Sequence, residues 1–344
     1  MKIRVGVAGV GHRGLGLTRI LAAMEDVALV ALADLDAPRL QRAAREFKVD
    51  RTFAYLGQML DSVRLDAVLI LTPDLAHHPQ TLRSLAAGVH VLVEKPPAYT
   101  VAETEEMAAA AEKAGKHLMV AWNRIFALQR VKEIFAQAPP EVAMANFVRP
   151  NPSYLALIRN HLVDVLYFIC GEPAHIVAHG RMFNEEQEGH VLASIRFQNG
   201  TLGQLTSSFG AGGQSEQFTA YGDGHSVFVE TTGRGQGRIV RGGQEEEVLG
   251  PVDSAALQLR HFIDCIKEDK EPLTCGREAV RIIRFMWAIL DAAGLGMPPL
   301  PADGRGWLLW CTCGDRIVPN LEQCPQCGRE WAGWSLPIEM IKKA

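Results

Sequence analysis

The sequence predicts an α/β protein with a doubly wound parallel sheet, a second domain with an open and mostly antiparallel sheet, and a small C-terminal appendage. Three observations support this class. Short apolar runs alternate with helical patterns through the first third, strand and turn patterns replace them further on, and four of the seven cysteines cluster near the C-terminus. A chain of 344 residues is also long enough to form two hydrophobic cores.

The first 121 residues carry the pattern of the parallel sheet. The predicted strands are short apolar runs at residues 3–7, 27–33, 67–71, 89–93 and 117–121. The predicted helices lie between them, at residues 14–24, 38–47, 79–87 and 101–114. Apolar strands that alternate with helices are typical of parallel sheets covered on both faces, and right-handed crossovers make such a sheet doubly wound. We therefore expect an N-terminal domain at residues 1–121.

The second predicted domain covers residues 122–296. Its predicted elements are a strand at residues 142–148 and helices at residues 127–137, 154–170, 254–267 and 277–293. Between residues 176 and 248 the pattern alternates strands with turns, and Asn199-Gly200 predicts a tight hairpin. We therefore expect an open, mostly antiparallel sheet. The proline-rich residues 297–301 cannot continue a helix and are predicted to be a linker.

The composition argues against several kinds of partner. The net charge is −4, the charged fraction is 22%, and no run of Lys or Arg stands out, so nucleic acid and anionic membranes are not expected as main partners. No apolar run is long enough to span a bilayer, and the N-terminus lacks the pattern of a signal peptide. We therefore expect a cytoplasmic protein with reduced thiols.

A glycine-rich turn follows the first predicted strand and opens the first helix. In this motif Gly9 permits the tight turn, Gly11 lets the backbone approach a pyrophosphate, and Gly14 lets helix and strand pack closely. The helix N-terminus offers free N–H groups to phosphates, and His12 and Arg13 lie beside them. The context predicts a dinucleotide-binding Rossmann site. The alternative is a glycine turn that only connects two elements.

The end of the second predicted strand bears on the choice of dinucleotide. Asp34 lies 20 residues after Gly14, where a carboxylate accepts hydrogen bonds from ribose hydroxyls and repels a 2′-phosphate. NAD is therefore the expected cofactor. NADP remains an alternative, because Arg13 or Arg39 could neutralise its additional phosphate.

Two further loops follow the fourth and fifth strands, at the carboxyl ends where ligands bind in such sheets. Thr72, Pro73 and His77 belong to the first loop, and Glu94 and Lys95 to the second. We expect all five residues to contact the cofactor. A partly desolvated lysine can exchange protons near neutral pH, so Lys95 is also a candidate catalytic residue. The alternative is an ordinary surface lysine in a loop.

With these motifs the sequence resembles the glucose–fructose oxidoreductase/inositol dehydrogenase/MocA (Gfo/Idh/MocA) family. The resemblance covers most of residues 1–293, and the segments that carry it are residues 7–14, 72–77, 87–96, 123–124, 160–164, 197–203 and 262–272. It implies an N-terminal Rossmann domain and a C-terminal domain whose sheet commonly mediates dimer or tetramer formation. It also implies an NAD(P)-dependent enzyme that oxidises a secondary alcohol of a sugar, cyclitol or related compound, or reduces the ketone.

The resemblance also assigns catalytic residues. The family lysine falls on Lys95, and the family helix histidine, often the general acid/base, falls on His161. An imidazole can take the hydroxyl proton near physiological pH, and the lysine can stabilise a developing alkoxide. Asp164, three residues after His161 on the same helix face, is expected to orient the imidazole. The alternative is a histidine hydrogen-bonded at a domain interface. The expected substrate-binding residues are Lys95, Asn123, Arg124, Arg159 and His161.

One position departs from the family pattern. The family often has an acidic residue four positions before the helix histidine, and here that position is Leu157, which cannot bind a substrate hydroxyl. A less hydroxylated or anionic substrate is one explanation, and loss of catalysis is another. The alternative function is therefore a non-catalytic NAD(P)-binding regulatory or assembly protein.

The predicted appendage at residues 302–344 resembles a zinc ribbon. Its two close cysteine pairs are Cys311 with Cys313 and Cys324 with Cys327. Four thiolates can surround Zn²⁺ tetrahedrally and leave no open position, so we expect a structural metal site. The alternative is two reduced or redox-active dithiols.

Overall fold

The computed structural model describes residues 2–151, 157–158, 160–183, 188–231 and 236–296. Arg159 and the predicted zinc ribbon therefore lie outside the described residues. The described chain forms two compact units: residues 2–121 with 259–280, and residues 122–258 with 281–296. Within this part of the chain, every helix is too short or too polar to cross a bilayer.

The first unit contains the predicted doubly wound parallel sheet. Its strands are β1 (Ile3–Ala8), β2 (Val27–Ala33), β3 (Thr52–Phe53), β4 (Ala67–Ile70), β5 (His90–Val93) and β6 (Leu118–Val120). They run parallel in the order β3-β2-β1-β4-β5-β6. Residues 67–70 are fully buried, which explains their uninterrupted apolar sequence.

The helices of this sheet are close to the predicted ones. They are α1 (His12–Ala22), α2 (Ala37–Phe47), α3 (Leu56–Ser62), α4 (His77–Ala86) and α5 (Val101–Ala114). Helix α1 begins at His12 because the backbone of the preceding residue, the N-cap Gly11, is extended rather than helical. Sequence patterns did not predict β3 and α3, since elements of two and seven residues are too short to establish a period.

The second unit contains a mixed sheet rather than a purely antiparallel one. Its strands are β7 (Val142–Arg149), β8 (Pro173–Met182), β9 (Glu188–Phe197), β10 (Leu202–Phe209), β11 (Ser215–Gly222), β12 (His225–Glu230), β13 (Gln236–Arg241) and β14 (Gln244–Leu249). They follow the order β14-β13-β12-β11-β7-β10-β9-β8, in which only β7 and β10 are parallel neighbours. The predicted hairpin joins β9 to β10, and Gly200 takes a φ of +93° there.

Four more helices follow along the chain. They are α6 (Gln129–Ile134), α7 (His161–Cys170), α8 (Ser254–Glu268) and α9 (Gly276–Ala292). The largest difference from the sequence prediction is the start of α7. Asn160 caps this helix by accepting a hydrogen bond from the Leu162 N–H at 2.7 Å, and Leu157 lies in a turn before it. Leu157 therefore lies outside α7, although the sequence predicts a helix over residues 154–170.

Residues 259–280 group with the first unit, whereas the sequence assigns them to the second domain. The Val120 N–H donates to the Thr274 carbonyl at 2.9 Å, and the Thr274 hydroxyl donates back to the Val120 carbonyl at 2.6 Å. Arg260 donates to both carboxylate oxygens of Asp26, at 2.8 and 2.9 Å. With Lys267, it holds the pKa of Asp26 well below its usual range. Such long-range contacts leave no local pattern in the sequence.

A histidine at the start of β5 is expected to make stability depend on pH. The backbone N–H of His117 donates a hydrogen bond to the ring Nδ1 of His90 at 3.0 Å. Burial, followed by the charges of Lys116 and His117, lowers the pKa of His90 from 6.5 to about 4. Between these two values the unfolded chain binds a proton that the folded chain does not, so stability should fall as the pH drops from 6.5 towards 4.

The variant His90→Asn tests this dependence. Its side-chain oxygen can replace Nδ1 as the acceptor for His117, but it does not titrate. We expect the melting temperature of this variant to decrease less between pH 7 and pH 4.5 than that of the wild-type protein. The exposed His175→Asn serves as the control. Equal decreases in wild type and His90→Asn would contradict the assignment.

Candidate active site

The glycine turn between β1 and α1 has no room for side chains at two of its three glycines. Gly9 has a φ of +92°, and a Cβ there would overlap the Leu71 carbonyl. A Cβ at Gly14 would overlap the carbonyl oxygen of Gly9. At Gly11, by contrast, the nearest atom is the Arg39 guanidinium at 3.8 Å. The protein thus leaves open space above Gly11, as close approach of a pyrophosphate requires.

This turn lines a cleft of about 620 Å³ at the carboxyl ends of the strands. The predicted cofactor residues that line it are Gly9, Gly11, His12, Arg13, Gly14, Asp34, Thr72 and Pro73. Sequence reasoning missed Ala54, Leu56 and Gln80, which also line the cleft. Ala54 and Leu56 lie at the start of α3, and the sequence patterns did not predict that helix. The Thr72 hydroxyl donates to Gln80 at 2.7 Å.

Asp34 is held in a fixed orientation at the edge of this cleft. Its carboxylate is 9% exposed. One oxygen accepts the Val10 N–H at 2.8 Å, and the other accepts the Asp36 N–H at 2.9 Å. A carboxylate has about four lone-pair positions, so both oxygens retain capacity for ribose hydroxyls. The cleft therefore fits the adenosine end of a dinucleotide.

The turn after β5 is anchored by Glu94. This side chain is 8% exposed and accepts a hydrogen bond from Arg13 Nε at 2.7 Å. It also accepts the backbone N–H of Lys95 at 3.0 Å. The ion pair thus connects the glycine turn to the segment that carries Lys95. Neither Glu94 nor Lys95 lines the cleft, although the sequence predicts cofactor contacts for both.

His77, for which the sequence predicts a cofactor contact, lies between two backbone carbonyls. It is fully buried, and its two ring nitrogens lie 2.7 Å from the Pro96 carbonyl and 2.8 Å from the Thr72 carbonyl. It does not line the cleft. Its imidazole links the loop after β4 to the turn after β5.

In the second unit, α7 carries the other candidate catalytic residues. His161 is the first residue of the helix and is 9% exposed, while Asp164 is fully buried. The two are three residues apart and share one helical face. Burial raises the effective strength of any interaction between them, because the local dielectric is low.

The predicted substrate residues at the start of this unit have protein partners. Asn123 is 4% exposed and donates to the Ser254 hydroxyl at 2.7 Å. Arg124 pairs with Glu216 at 2.7 Å, and Arg149 pairs with the same buried carboxylate. These contacts give Asn123 and Arg124 structural roles that the sequence did not indicate.

No cluster of three or more His, Cys, Asp or Glu side chains within the described ranges is arranged to hold a metal ion. The four cysteines that the sequence proposes as zinc ligands lie outside those ranges.

The glycine turn, the cleft and Asp34, on a doubly wound sheet, define a dinucleotide-binding protein of the Rossmann class. A family model described as an oxidoreductase family with an NAD-binding Rossmann fold matches residues 3–122, and the GFO/IDH/MocA C-terminal domain matches residues 128–228. The chain therefore belongs to the Gfo/Idh/MocA family of oxidoreductases.

Curated relatives include named dehydrogenases of similar length. The scyllo-inositol 2-dehydrogenase (NAD(+)) of Bacillus subtilis is 23% identical over 86% of this chain and 96% of its own length. The D-apiose dehydrogenase of Paraburkholderia graminis is 27% identical over 78% of this chain and 81% of its own length. These relationships identify the chain as an NAD(P)-dependent dehydrogenase.

Solved structures share the fold. A UDP-N-acetylglucosamine 3-dehydrogenase from Acidithiobacillus ferrooxidans superimposes with a TM-score of 0.77 at 21% identity, covering 85% of this chain and 98% of that one. An oxidoreductase from Agrobacterium radiobacter, in complex with NAD+, L-tartaric acid and magnesium, gives a TM-score of 0.76 at 18% identity, over 86% and 97% of the two chains. At these identities the likeness establishes the fold alone.

Proposed function

We propose that this protein transfers a hydride between a nicotinamide dinucleotide, preferably NAD, and a secondary alcohol or ketone of a sugar, cyclitol or related small molecule. The observation that supports this proposal most directly is the cleft beside the open Gly11 backbone. The residues that would hold the dinucleotide are the cleft-lining Gly9, Gly11, His12, Arg13, Gly14, Asp34, Thr72 and Pro73. The bound nicotinamide would supply hydride acceptance and donation.

Each of the three candidate catalytic side chains has a separate task. The Lys95 ammonium donates a hydrogen bond to the substrate oxygen and stabilises negative charge that develops on it. His161 takes the hydroxyl proton during oxidation and returns it during reduction. Asp164, buried on the same face of α7, is the residue proposed to orient the imidazole.

The substrate class rests on the relatives. Their names include an inositol dehydrogenase and an apiose dehydrogenase, which act on polyhydroxylated substrates. Leu157 stands where the family often has an acidic residue, so the substrate is proposed to be less hydroxylated than a polyol, or anionic.

A substrate screen tests the proposal. The purified protein is analysed for bound nucleotide and then incubated with sugars, cyclitols, sugar acids and sugar nucleotides, while the absorbance of reduced nicotinamide is followed. Turnover of at least one of these compounds is the expected result. Tight NAD binding without turnover of any compound would instead support a regulatory or assembly protein.

The exposed face of the second sheet is the proposed oligomer interface, through which the chain forms a homodimer or homotetramer. Val177, Leu192 and Leu202 lie on adjacent strands β8, β9 and β10 and are 52%, 52% and 56% exposed. The strand register aligns them on one face. Large apolar side chains grouped on an open sheet are typical of a protein interface.

The C-terminal cysteines are proposed to hold one structural Zn²⁺. The predicted ligands are Cys311, Cys313, Cys324 and Cys327. Elemental analysis should find about one zinc per chain. A variant with Cys324→Ser and Cys327→Ser should lose it, while Cys265→Ser, outside the motif, should retain it. A wild-type protein purified without chelators that contains no zinc would rule out the site.

A further inference from the structure

An arginine lies at the end of the cleft where the adenosine ribose is expected. Arg39 is in the first turn of α2, and its guanidinium lines the cleft. Nη1 lies 3.6 Å from the carboxylate of Asp34, and it is 3.8 Å from the position of a Cβ on Gly11. A planar guanidinium in this position is suited to bind a phosphate with two hydrogen bonds.

Arg39 is, however, already engaged by Asp36. Nη2 of Arg39 donates to one carboxylate oxygen of Asp36 at 2.9 Å, and the backbone N–H of Arg39 donates to the other oxygen at 2.8 Å. The first contact neutralises the guanidinium. The second caps α2, of which Asp36 is the N-cap residue.

The charges at this end of the cleft therefore oppose a further anion. Asp34 and Asp36 are carboxylates, and Arg39 is the cation between them, so the three side chains carry a net charge of −1. A ribose hydroxyl meets acceptors on Asp34, whereas a 2′-phosphate would meet one uncompensated negative charge and an arginine held by another carboxylate.

We propose that Asp36 determines dinucleotide specificity by occupying Arg39, so that the cleft accepts nucleotides without a 2′-phosphate and rejects those that have one. This inference rests on the proposed function, because it assumes that the cleft binds the adenosine half of NAD. It assigns the discrimination to two side chains together: Asp34 accepts the ribose hydroxyls, and Asp36 keeps the nearby cation from binding phosphate.

The two oxygens of Asp36 allow its roles to be separated. In Asp36→Asn, the amide oxygen can still cap α2, but the negative charge that holds Arg39 is gone. Asp36→Ser likewise retains an N-cap acceptor and is too short to reach the guanidinium. Both variants should therefore fold as the wild-type protein does and release Arg39 towards the ribose site.

Binding is measured by calorimetry on the full chain with ADP and with 2′,5′-ADP, which differ by the 2′-phosphate. We expect Asp36→Asn and Asp36→Ser to bind 2′,5′-ADP about tenfold more tightly than wild type and ADP with nearly unchanged affinity. The double variant Asp36→Asn/Arg39→Gln should lose this gain. The control Glu46→Gln removes one negative charge near the other end of α2 and should leave both affinities unchanged.

The results separate the role of Asp36 in specificity from the proposed function of the cleft as a dinucleotide site. If ADP binds but both Asp36 variants keep the wild-type ratio of the two affinities, Asp36 does not determine specificity. The same conclusion follows if the double variant keeps the gain, because Arg39 would then not be the phosphate ligand, or if Glu46→Gln produces an equal gain. If folded wild-type protein binds neither ADP nor NAD, the proposed function itself fails.

Discussion

The Gly14→Ala variant should lose about 3 kcal/mol of stability and its affinity for NAD. A methyl group at this position would overlap the carbonyl oxygen of Gly9, so α1 would have to move away from β1 and distort the turn. Chemical denaturation measures the loss of stability, and calorimetry with NAD measures the loss of binding.

Two other glycines in the same segment provide matched controls. Gly16 lies two residues further along α1, and a Cβ there would meet no atom within 4 Å apart from its chain neighbours and the backbone of its own helix, so Gly16→Ala should be neutral or up to about 1 kcal/mol stabilising. Gly11→Ala should change stability by no more than about 1 kcal/mol, since its surroundings are open, and yet weaken NAD binding. Equal stability of Gly14→Ala and Gly16→Ala would contradict the close packing of Gly14 against Gly9.

The Lys95→Met variant should lower kcat about a hundred- to thousandfold on the best substrate from the screen. Without the ammonium group, the developing charge on the substrate oxygen has lost its hydrogen-bond donor. The affinity for NAD should change much less, because Lys95 does not line the dinucleotide cleft. Lys113→Met, at an exposed lysine of α5, serves as the control.

The His161→Asn variant should lower kcat by a similar factor and also alter the dependence of kcat on pH. An amide retains much of the size and polarity of imidazole but cannot exchange a proton, so the limb of the profile that reports the general base should disappear. Full activity in both the Lys95 and His161 variants would rule out the site assignment. An unchanged pH profile with reduced kcat would give His161 a structural role only.

Sequence patterns can predict the residues of the dinucleotide cleft because its components are local. The glycine turn lies between a buried strand and a helix, and Asp34 ends the next strand, so Gly9, Gly11, Gly14 and Asp34 are recognisable from spacing alone. His77 has long-range contacts that sequence patterns do not show. Its place in the chain suggests a cofactor contact, but its two ring nitrogens face carbonyls of separate loops.

The sequence by itself determined the class of fold, the alternation of strands and helices that implies a parallel sheet, and the candidate residues at the strand ends. Hydrophobic periodicity and turn chemistry act over short stretches of chain, so these features can be read without coordinates. The start of α7 at His161 was decided by a capping side chain, Asn160, within a stretch whose apolar pattern also suited a longer helix.

Only the tertiary structure decided which polar groups meet over long distances in the chain. Residues 259–280 join the first unit because Thr274 bonds to Val120 and Arg260 bonds to Asp26. The same is true of the cleft, where Arg39 comes within 3.6 Å of Asp34 while Asp36 holds its guanidinium. Hydrogen bonds and ion pairs depend on distances of a few ångströms, and the folded backbone sets those distances.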